Sequence, residues 1–272
     1  MNIGVFDSGL GGLMITRSLI KAMPGYCFSY LGDTKHVPYG PRSKEAIYGF
    51  AKDCIDHLFR SKNCRLVIVA CNTASIAALR RLQQEYLPAN FPERRILGVI
   101  IPTLEHVLER ECKSLGLLAT SSTVSSGVYE EELKKLDPAI RIFSLATQLL
   151  VPLIENDGSR FARPIVREYL EGLKLKSASI DSIILGCTHY PYLEDMIREE
   201  ASDVFGSPVG IISQTRIIPK SLQNYLARHP EIERDLSRTG VHSFAVTDMT
   251  QSYHEQAQLL FGGEIGMTKV QI

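Results

Sequence analysis

At 272 residues the chain is long enough to bury a substantial core, and it falls between one large domain and two of ordinary size. Its 30 lysines plus arginines equal its 30 aspartates plus glutamates, so the formal charge is zero and no basic footprint for nucleic acid or anionic membrane is present. That balance excludes binding by bulk charge and points to a small molecule or another protein as partner.

The chain enters at once into Met1-Asn2-Ile3-Gly4-Val5-Phe6-Asp7, without the basic segment, apolar core and small-residue cleavage site of a secretory signal. No apolar stretch approaches the roughly 20 residues needed to cross a bilayer. A cytoplasmic location is therefore expected. In that reducing compartment the six cysteines (27, 54, 64, 71, 112 and 187) are expected to be free thiols, and they lack the CxxC pairs of a structural zinc site.

Short apolar runs alternate with longer helical patterns: Ile3–Phe6 then Gly11–Met23, Cys27–Leu31 then Ser43–Arg60, Leu66–Val69 then Ala74–Tyr86. Repeated strand and helix units predict an α/β fold with parallel sheets. The theme repeats for a second lobe with Ile96–Ile100, Thr103–Glu111, Leu115–Ala119, Ser125–Leu136, Ala162–Lys174 and Ile180–Leu185. After Pro208, Val209–Ile212 reads as a strand, Ile217–Leu226 as a helix, and Ser243–Val246 as a final strand before the helix Gln251–Phe261. Asp7 precedes Cys71 by 64 residues and Ala119 precedes Cys187 by 68, a spacing expected of two related lobes.

Polar residues gather where the apolar runs end. Asp7-Ser8-Gly9-Leu10-Gly11-Gly12 follows a strand and opens a helix, so its glycines and free amides suit a carboxylate or phosphate. The spacing is not GxGxxG and no Walker lysine follows, so the segment reads equally as an ordinary strand-to-helix turn. In Gly32-Asp33-Thr34-Lys35-His36-Val37-Pro38-Tyr39-Gly40, Pro38 fixes a backbone angle and Gly40 frees one, which lets backbone amides aim inward with Tyr39 as a wall; the alternative is a surface loop.

Two cysteines stand just past apolar strands, in Val69-Ala70-Cys71-Asn72-Thr73 and Leu185-Gly186-Cys187-Thr188-His189. A cysteine is most often a small buried hydrophobe. Here Asn72, Thr73, Thr188 and His189 supply polar groups that an apolar core position would have to satisfy at a cost. His189 suits tuning of a thiol, since its ordinary pKa lies near neutrality. A metal site at Cys187 and His189 would lack the usual four ligands. Glu155, in Val151-Pro152-Leu153-Ile154-Glu155, is a weaker candidate that reads more readily as a solvated helix charge. Cys27, Cys54, Cys64 and Cys112 read as structural thiols, and His57, His106, His229, His242 and His254 as surface or packing residues.

Together, Gly4-Val5-Phe6-Asp7-Ser8-Gly9-Leu10-Gly11-Gly12-Leu13, Gly32-Asp33-Thr34 with Pro38-Tyr39-Gly40, Ala70-Cys71-Asn72-Thr73-Ala74-Ser75 and Leu185-Gly186-Cys187-Thr188-His189-Tyr190-Pro191 resemble the motifs of the cofactor-independent aspartate/glutamate racemase family. The resemblance implies two facing α/β lobes, residues 1–98 with 209–272 and residues 99–208, with the active site in the cleft between them. It implies interconversion of L- and D-glutamate without pyridoxal phosphate or metal, supplying D-glutamate for peptidoglycan. By position, Cys71 and Cys187 become the two acid/base thiols, assisted by Asp7 and His189. Asp7, Ser8, Tyr39, Gly40, Asn72, Thr73, Thr188 and His189 become the substrate-binding set.

The resemblance leaves a homodimer open, with no segment identifying an interface. The chain departs from the family at Ala146-Thr147-Gln148-Leu149-Leu150, where Cys-Pro-Leu-Phe is usual. It departs again at Ile101-Pro102-Thr103 (Glu-Pro-Gly) and at Ile212-Ser213-Gln214, which lacks Asp-Ser. These changes leave both thiols intact and fall on second-lobe contacts. Alternatives are aspartate as substrate, weak activity, or a binding or regulatory protein on the same scaffold. A phosphatase of the haloacid dehalogenase type, with Asp7 as nucleophile, would need an aspartate where Gly9 stands.

Overall fold

The structure, a computed structural model, describes residues 1–272. The chain is α/β and divides into two compact units, Met1–Val99 with Thr215–Ile272, and Ile100–Gln214. Ten strands form: β1 (Asn2–Asp7), β2 (Phe28–Gly32), β3 (Cys64–Val69), β4 (Arg95–Gly98), β5 (Ser114–Ala119), β6 (Arg141–Ala146), β7 (Ser182–Gly186), β8 (Gly210–Ile212), β9 (Ser243–Val246) and β10 (Met267–Lys269). The first unit holds a six-stranded sheet in the order β10-β9-β2-β1-β3-β4, and the second a four-stranded sheet in the order β6-β5-β7-β8. Every pairing is parallel.

The strands β2-β1-β3-β4 and β6-β5-β7-β8 have the same wiring, with the first strand of each unit between its second and third. The central strands β3, β5 and β7 are buried along their whole length, which is why they read as continuous apolar runs rather than alternating ones. In the first unit the helix Lys44–Arg60 starts at Ser43, whose hydroxyl accepts from Ala46 N at 3.2 Å, a cap worth about 1 kcal/mol. Its Ile47, Ala51, Cys54, Ile55, Leu58 and Phe59 cover Phe6, Leu31, Val67 and Val69 of the sheet. Each such aliphatic or aromatic side chain contributes roughly 1.5–3 kcal/mol by leaving water. In the second unit Leu173, from the helix Ala162–Lys176, lies directly on Gly116 of β5.

Several expected elements differ in detail. The run Ile96–Ile100 does not open the second unit: β4 pairs with β3 in the first sheet, and Ile100 begins the helix Ile100–Glu109. The boundary expected after residue 208 falls after Gln214, because β8 pairs with β7. The single helix expected over Ser125–Leu136 is two, Ser121–Ser126 and Val128–Leu136, separated by Gly127 at φ +66°, a left-handed conformation that glycine adopts without strain. Two strands are additional. The edge strand β6 is only half-buried and opens on Arg141, and β10 is three residues long, so neither carries a strong apolar pattern. The tail, whose destination periodicity leaves open, returns to the first sheet through β9 beside β2.

At Gly32 an added Cβ would lie 2.1 Å from the carbonyl oxygen of Gly9, so only glycine lets the loop after β1 cross the end of β2. Gly32→Ala is therefore expected to destabilise the protein by about 1–3 kcal/mol, read as a lower urea midpoint at unchanged slope. A midpoint equal to that of the parent would show that the crossing is not tight.

Candidate active site

β1 and β3 are adjacent and in register, with Phe6 opposite Val69. Ala70 N extends the ladder by donating to Phe6 O at 2.8 Å. Asp7 and Cys71 consequently leave the sheet side by side at its C-terminal edge, the position at which open α/β sheets hold ligands. Cys71 (φ −66°, ψ 122°) is the residue before a continuous helical stretch, 72–90, that includes π-helical turns at Ser75–Leu79 and Leu82–Tyr86. Its Sγ accepts from Ala74 N at 3.4 Å and from Ser8 Oγ at 3.2 Å. Donors aimed at sulfur, together with the amide dipoles of a helix start, stabilise negative charge there.

Around this thiol the polar groups are held in place by the backbone and by one another. Gly9 N donates to Asp7 Oδ1 at 2.9 Å, and the Tyr30 hydroxyl donates to Gly9 O at 2.6 Å. Asn72 and Thr73 are buried in the first turn after Cys71. Asp33, fully buried, receives the Tyr39 hydroxyl at 2.7 Å and the Thr247 hydroxyl at 2.7 Å, with the His36 ring nitrogen at 2.9 Å. Burial, then the Asp33 charge, pushes the Tyr39 phenol far above its ordinary pKa, so it is a neutral donor committed to Asp33. Tyr39 is thus a fixed wall, as the turn-rich loop suggests.

The second unit repeats the placement with different chemistry. Ala119 of β5 is level with Gly186 of β7, and Cys187 follows immediately. His189 Nδ1 lies 3.9 Å from Cys187 Sγ, and His189 Nε2 lies 3.0 Å from Glu155 Oε1, off the axis of its N–H. Burial works against a charge on this ring, but the Cys187 sulfur and the Glu155 carboxylate outweigh it and raise the pKa from 6.5 to about 10. His189 is an imidazolium at neutral pH. Thr188 is buried beside it, and the Tyr190 hydroxyl donates to Thr147 O at 3.1 Å.

Residues 3–218 match the model of the Asp/Glu/hydantoin racemase family. A glutamate racemase from Dinoroseobacter shibae is 37% identical over 243 residues, covering 85% of this chain and 86% of that protein. The chain belongs to this racemase family. Among solved structures, glutamate racemase isoform RacE1 from Bacillus anthracis is 32% identical, with a TM-score of 0.85 over 100% of this chain and 97% of its own. The Francisella tularensis glutamate racemase, solved in complex with D-glutamate, is 27% identical with a TM-score of 0.85 over 99% and 97%. As a member of a racemase family the chain is an isomerase.

Within this racemase the sequence-selected residues fall into two groups. The first unit brings Asp7, Ser8, Cys71, Asn72 and Thr73 to the edge of β1 and β3, with Tyr39 and Gly40 on the loop after β2. The second places Cys187, Thr188 and His189 after β7. Glu155, the weaker candidate that reads more readily as a solvated charge, is the ion-pair partner of His189. The helix Leu150–Glu155 ends on it, and its side chain is 32% exposed. Sequence reasoning missed Thr247, which binds Asp33 from 214 residues away, beyond any local signal.

The remaining thiols divide as well. Burial pushes Cys64 up to about 12 and Cys54 well above its ordinary value, as inert core groups. At Cys27 burial is outweighed by the Ser237 and Thr239 hydroxyls and by backbone groups of Thr239 and Val241, which lower it to about 7. No group of three or more His, Cys, Asp or Glu side chains converges as metal ligands would. No helix is long and apolar enough to cross a membrane.

Because His189 is raised in the native state, its contribution to stability is complete below pH 6.5 and is lost as pH rises through about 10. Glu155→Gln removes one of the two groups holding the proton, so the His189 midpoint in a ring-carbon NMR titration is expected to fall. Its stability contribution would then be lost at lower pH. An unmoved midpoint would show that Glu155 does not act on the ring.

Proposed function

We propose that this chain interconverts L- and D-glutamate by proton transfer between two thiols, Cys71 and Cys187, without a metal or organic cofactor. The observation that carries this reading is the placement of both cysteines. Each follows the third strand of the same four-strand pattern, one with hydrogen-bond donors on its sulfur and the other with an imidazolium beside it. The family and the glutamate racemases among its relatives support glutamate as substrate, as does the D-glutamate bound to the Francisella protein.

The chemistry asks for this arrangement. Removing the α-proton of an amino acid leaves a poorly stabilised carbanion, so donors must hold the α-carboxylate while a thiolate is kept within reach of the α-hydrogen. The thiolate takes the proton, the C–H electron pair stays on the α-carbon, and the opposite thiol returns a proton to the other face. One sulfur starts as thiolate and the other as thiol, and they exchange states with each turnover. Cys71 takes the proton from D-glutamate, with Asp7 assisting. Cys187 takes it from L-glutamate, with the His189 imidazolium, held by Glu155, assisting. Asp7, Ser8, Tyr39, Gly40, Asn72, Thr73, Thr188 and His189 hold the substrate. The product serves the cytoplasmic supply of D-glutamate to peptidoglycan.

Incubating metal-free, cofactor-free protein with each glutamate enantiomer in deuterated water is expected to give inversion with deuterium at the α-carbon. Parallel incubations with aspartate test the narrower substrate assignment. Cys71→Ala and Cys187→Ala are each expected to lower racemisation by roughly 10²–10⁴-fold or more. A fully active single variant would refute the two-thiol mechanism, and folded parent protein that neither exchanges nor inverts glutamate would refute the racemase reading.

A further inference from the structure

The tail supplies one member of a row of strand ends. In the first sheet β9 lies beside β2, β2 beside β1 and β1 beside β3. Thr247 N donates to Gly32 O at 3.0 Å, Asp33 N to Asp7 O at 3.0 Å and Ala70 N to Phe6 O at 2.8 Å, so the ladders run on past the strands. Thr247, Asp33, Asp7 and Cys71 therefore stand at one edge of four adjacent strands.

Thr247 is buried, and its hydroxyl is used in both directions. It donates to Asp33 Oδ1 at 2.7 Å and accepts from Lys35 N at 2.9 Å. One residue on, Asp248 N donates to Thr34 Oγ1 at 2.9 Å, and the Thr34 hydroxyl donates back to Asp248 O. The Asp248 carboxylate turns to Lys269 of β10, so only its backbone joins the clasp. Residues 33–35, which follow β2, are thus held by the pair that follows β9. The far end of this loop is joined to the same acid. The Tyr39 hydroxyl donates to Asp33 Oδ2 at 2.7 Å, and Tyr39 belongs to one buried cluster with Phe6, Val69 and Cys71. Asp33 is fully buried, and a carboxylate out of water loses stability with each donor removed. A valine would fill the Thr247 position without the desolvation of a hydroxyl, so packing alone does not call for threonine.

We propose that Thr247 is a positioning residue for the substrate-binding loop. Its hydroxyl fixes the Asp33 carboxylate and the Lys35 amide, and through Asp33 the Tyr39 side chain that the loop presents at the Cys71 edge. The proposal deepens the reading of Tyr39 and Gly40 as substrate contacts and rests on it. Thr247 touches no substrate in this role. Losing the hydroxyl lowers the fraction of chains whose loop is held, and substrate affinity falls by the same fraction. Once substrate is bound the loop is in place, so turnover is unchanged.

Steady-state kinetics with each glutamate enantiomer and hydrogen–deuterium exchange of the substrate-free, full-length chain test it together. Thr247→Val keeps the side-chain shape and removes the hydroxyl. It is expected to raise KM for both enantiomers roughly 3–10-fold at unchanged kcat, on the scale of one hydrogen bond to a charged group. Deuterium uptake is expected to quicken in the peptide spanning 33–40, while the peptide spanning 182–190 keeps the parent rate. Thr247→Ser, which restores the hydroxyl, is expected to return both readouts to the parent values. Circular dichroism establishes that a variant is folded; should Thr247→Val fail to fold, Thr247→Ala carries the same comparison. A folded variant with the parent KM, or one that loses kcat at unchanged KM, overturns the proposal, as does a serine variant that restores neither readout. A purely structural threonine would lower the urea midpoint and leave KM where it is. A parent chain that racemises neither enantiomer refutes the racemase reading, and uptake at 33–40 then decides the clasp by itself. Faster uptake in Thr247→Val leaves the clasp standing, and unmoved uptake overturns it too.

Discussion

The parallel pairing of each unit's first strand with its third is the constraint on which the rest depends. Parallel neighbours end at the same edge, so β1 and β3 deliver Asp7 and Cys71 together, and β5 and β7 deliver Ala119 and Cys187 together. A slip of one residue in either register would turn every side chain to the opposite face and carry the cysteine with it. Because β3, β5 and β7 are buried on both faces, their interiors tolerate little polar chemistry, and reactive groups are confined to the strand ends.

The two units share that wiring but solve the electrostatics of a sulfur differently. At Cys71 neutral dipoles do the stabilising: the Ser8 hydroxyl and the Ala74 amide both donate to Sγ. Beside Cys187 stands a charged ring instead, the His189 imidazolium, itself paired with Glu155. Burial opposes the charge on His189, and the Cys187 sulfur and the Glu155 carboxylate together favour it. Each unit also holds a further tier of buried hydrogen bonds. In the first unit Asp33 accepts from the Tyr39 hydroxyl, and in the second Gln214 donates to the Tyr129 hydroxyl.

The strands and both thiols were legible because they rest on local signals. A buried parallel strand must be a nearly unbroken apolar run, and a polar cluster immediately after it marks the strand end. β6 and β10 were not legible, since an edge strand half-covered by protein and a three-residue strand need no such run. Glu155 was only weakly legible for a related reason: a charge at a helix end is ordinarily solvated, and only the position of His189 makes it otherwise. Two of the residues noted as family departures, Thr147 and Gln214, make buried hydrogen bonds. Thr147 meets the Tyr190 hydroxyl at 2.7 Å, and Gln214 bridges Thr103 and Tyr129.

By itself, then, the sequence determined the α/β class, the order of the buried strands and most helices along the chain, and the seating of Cys71 and Cys187 at strand ends. Each of these follows from which residues can be buried over a few consecutive positions. The tertiary structure alone decided the order of strands across each sheet, the return of the tail through β9, the pairing of His189 with Glu155, and the meeting of Asp33 with Thr247. Those are choices of partner between segments far apart in the chain. Local periodicity records that a side chain is buried and leaves open against what; sheet register and helix packing supply the answer.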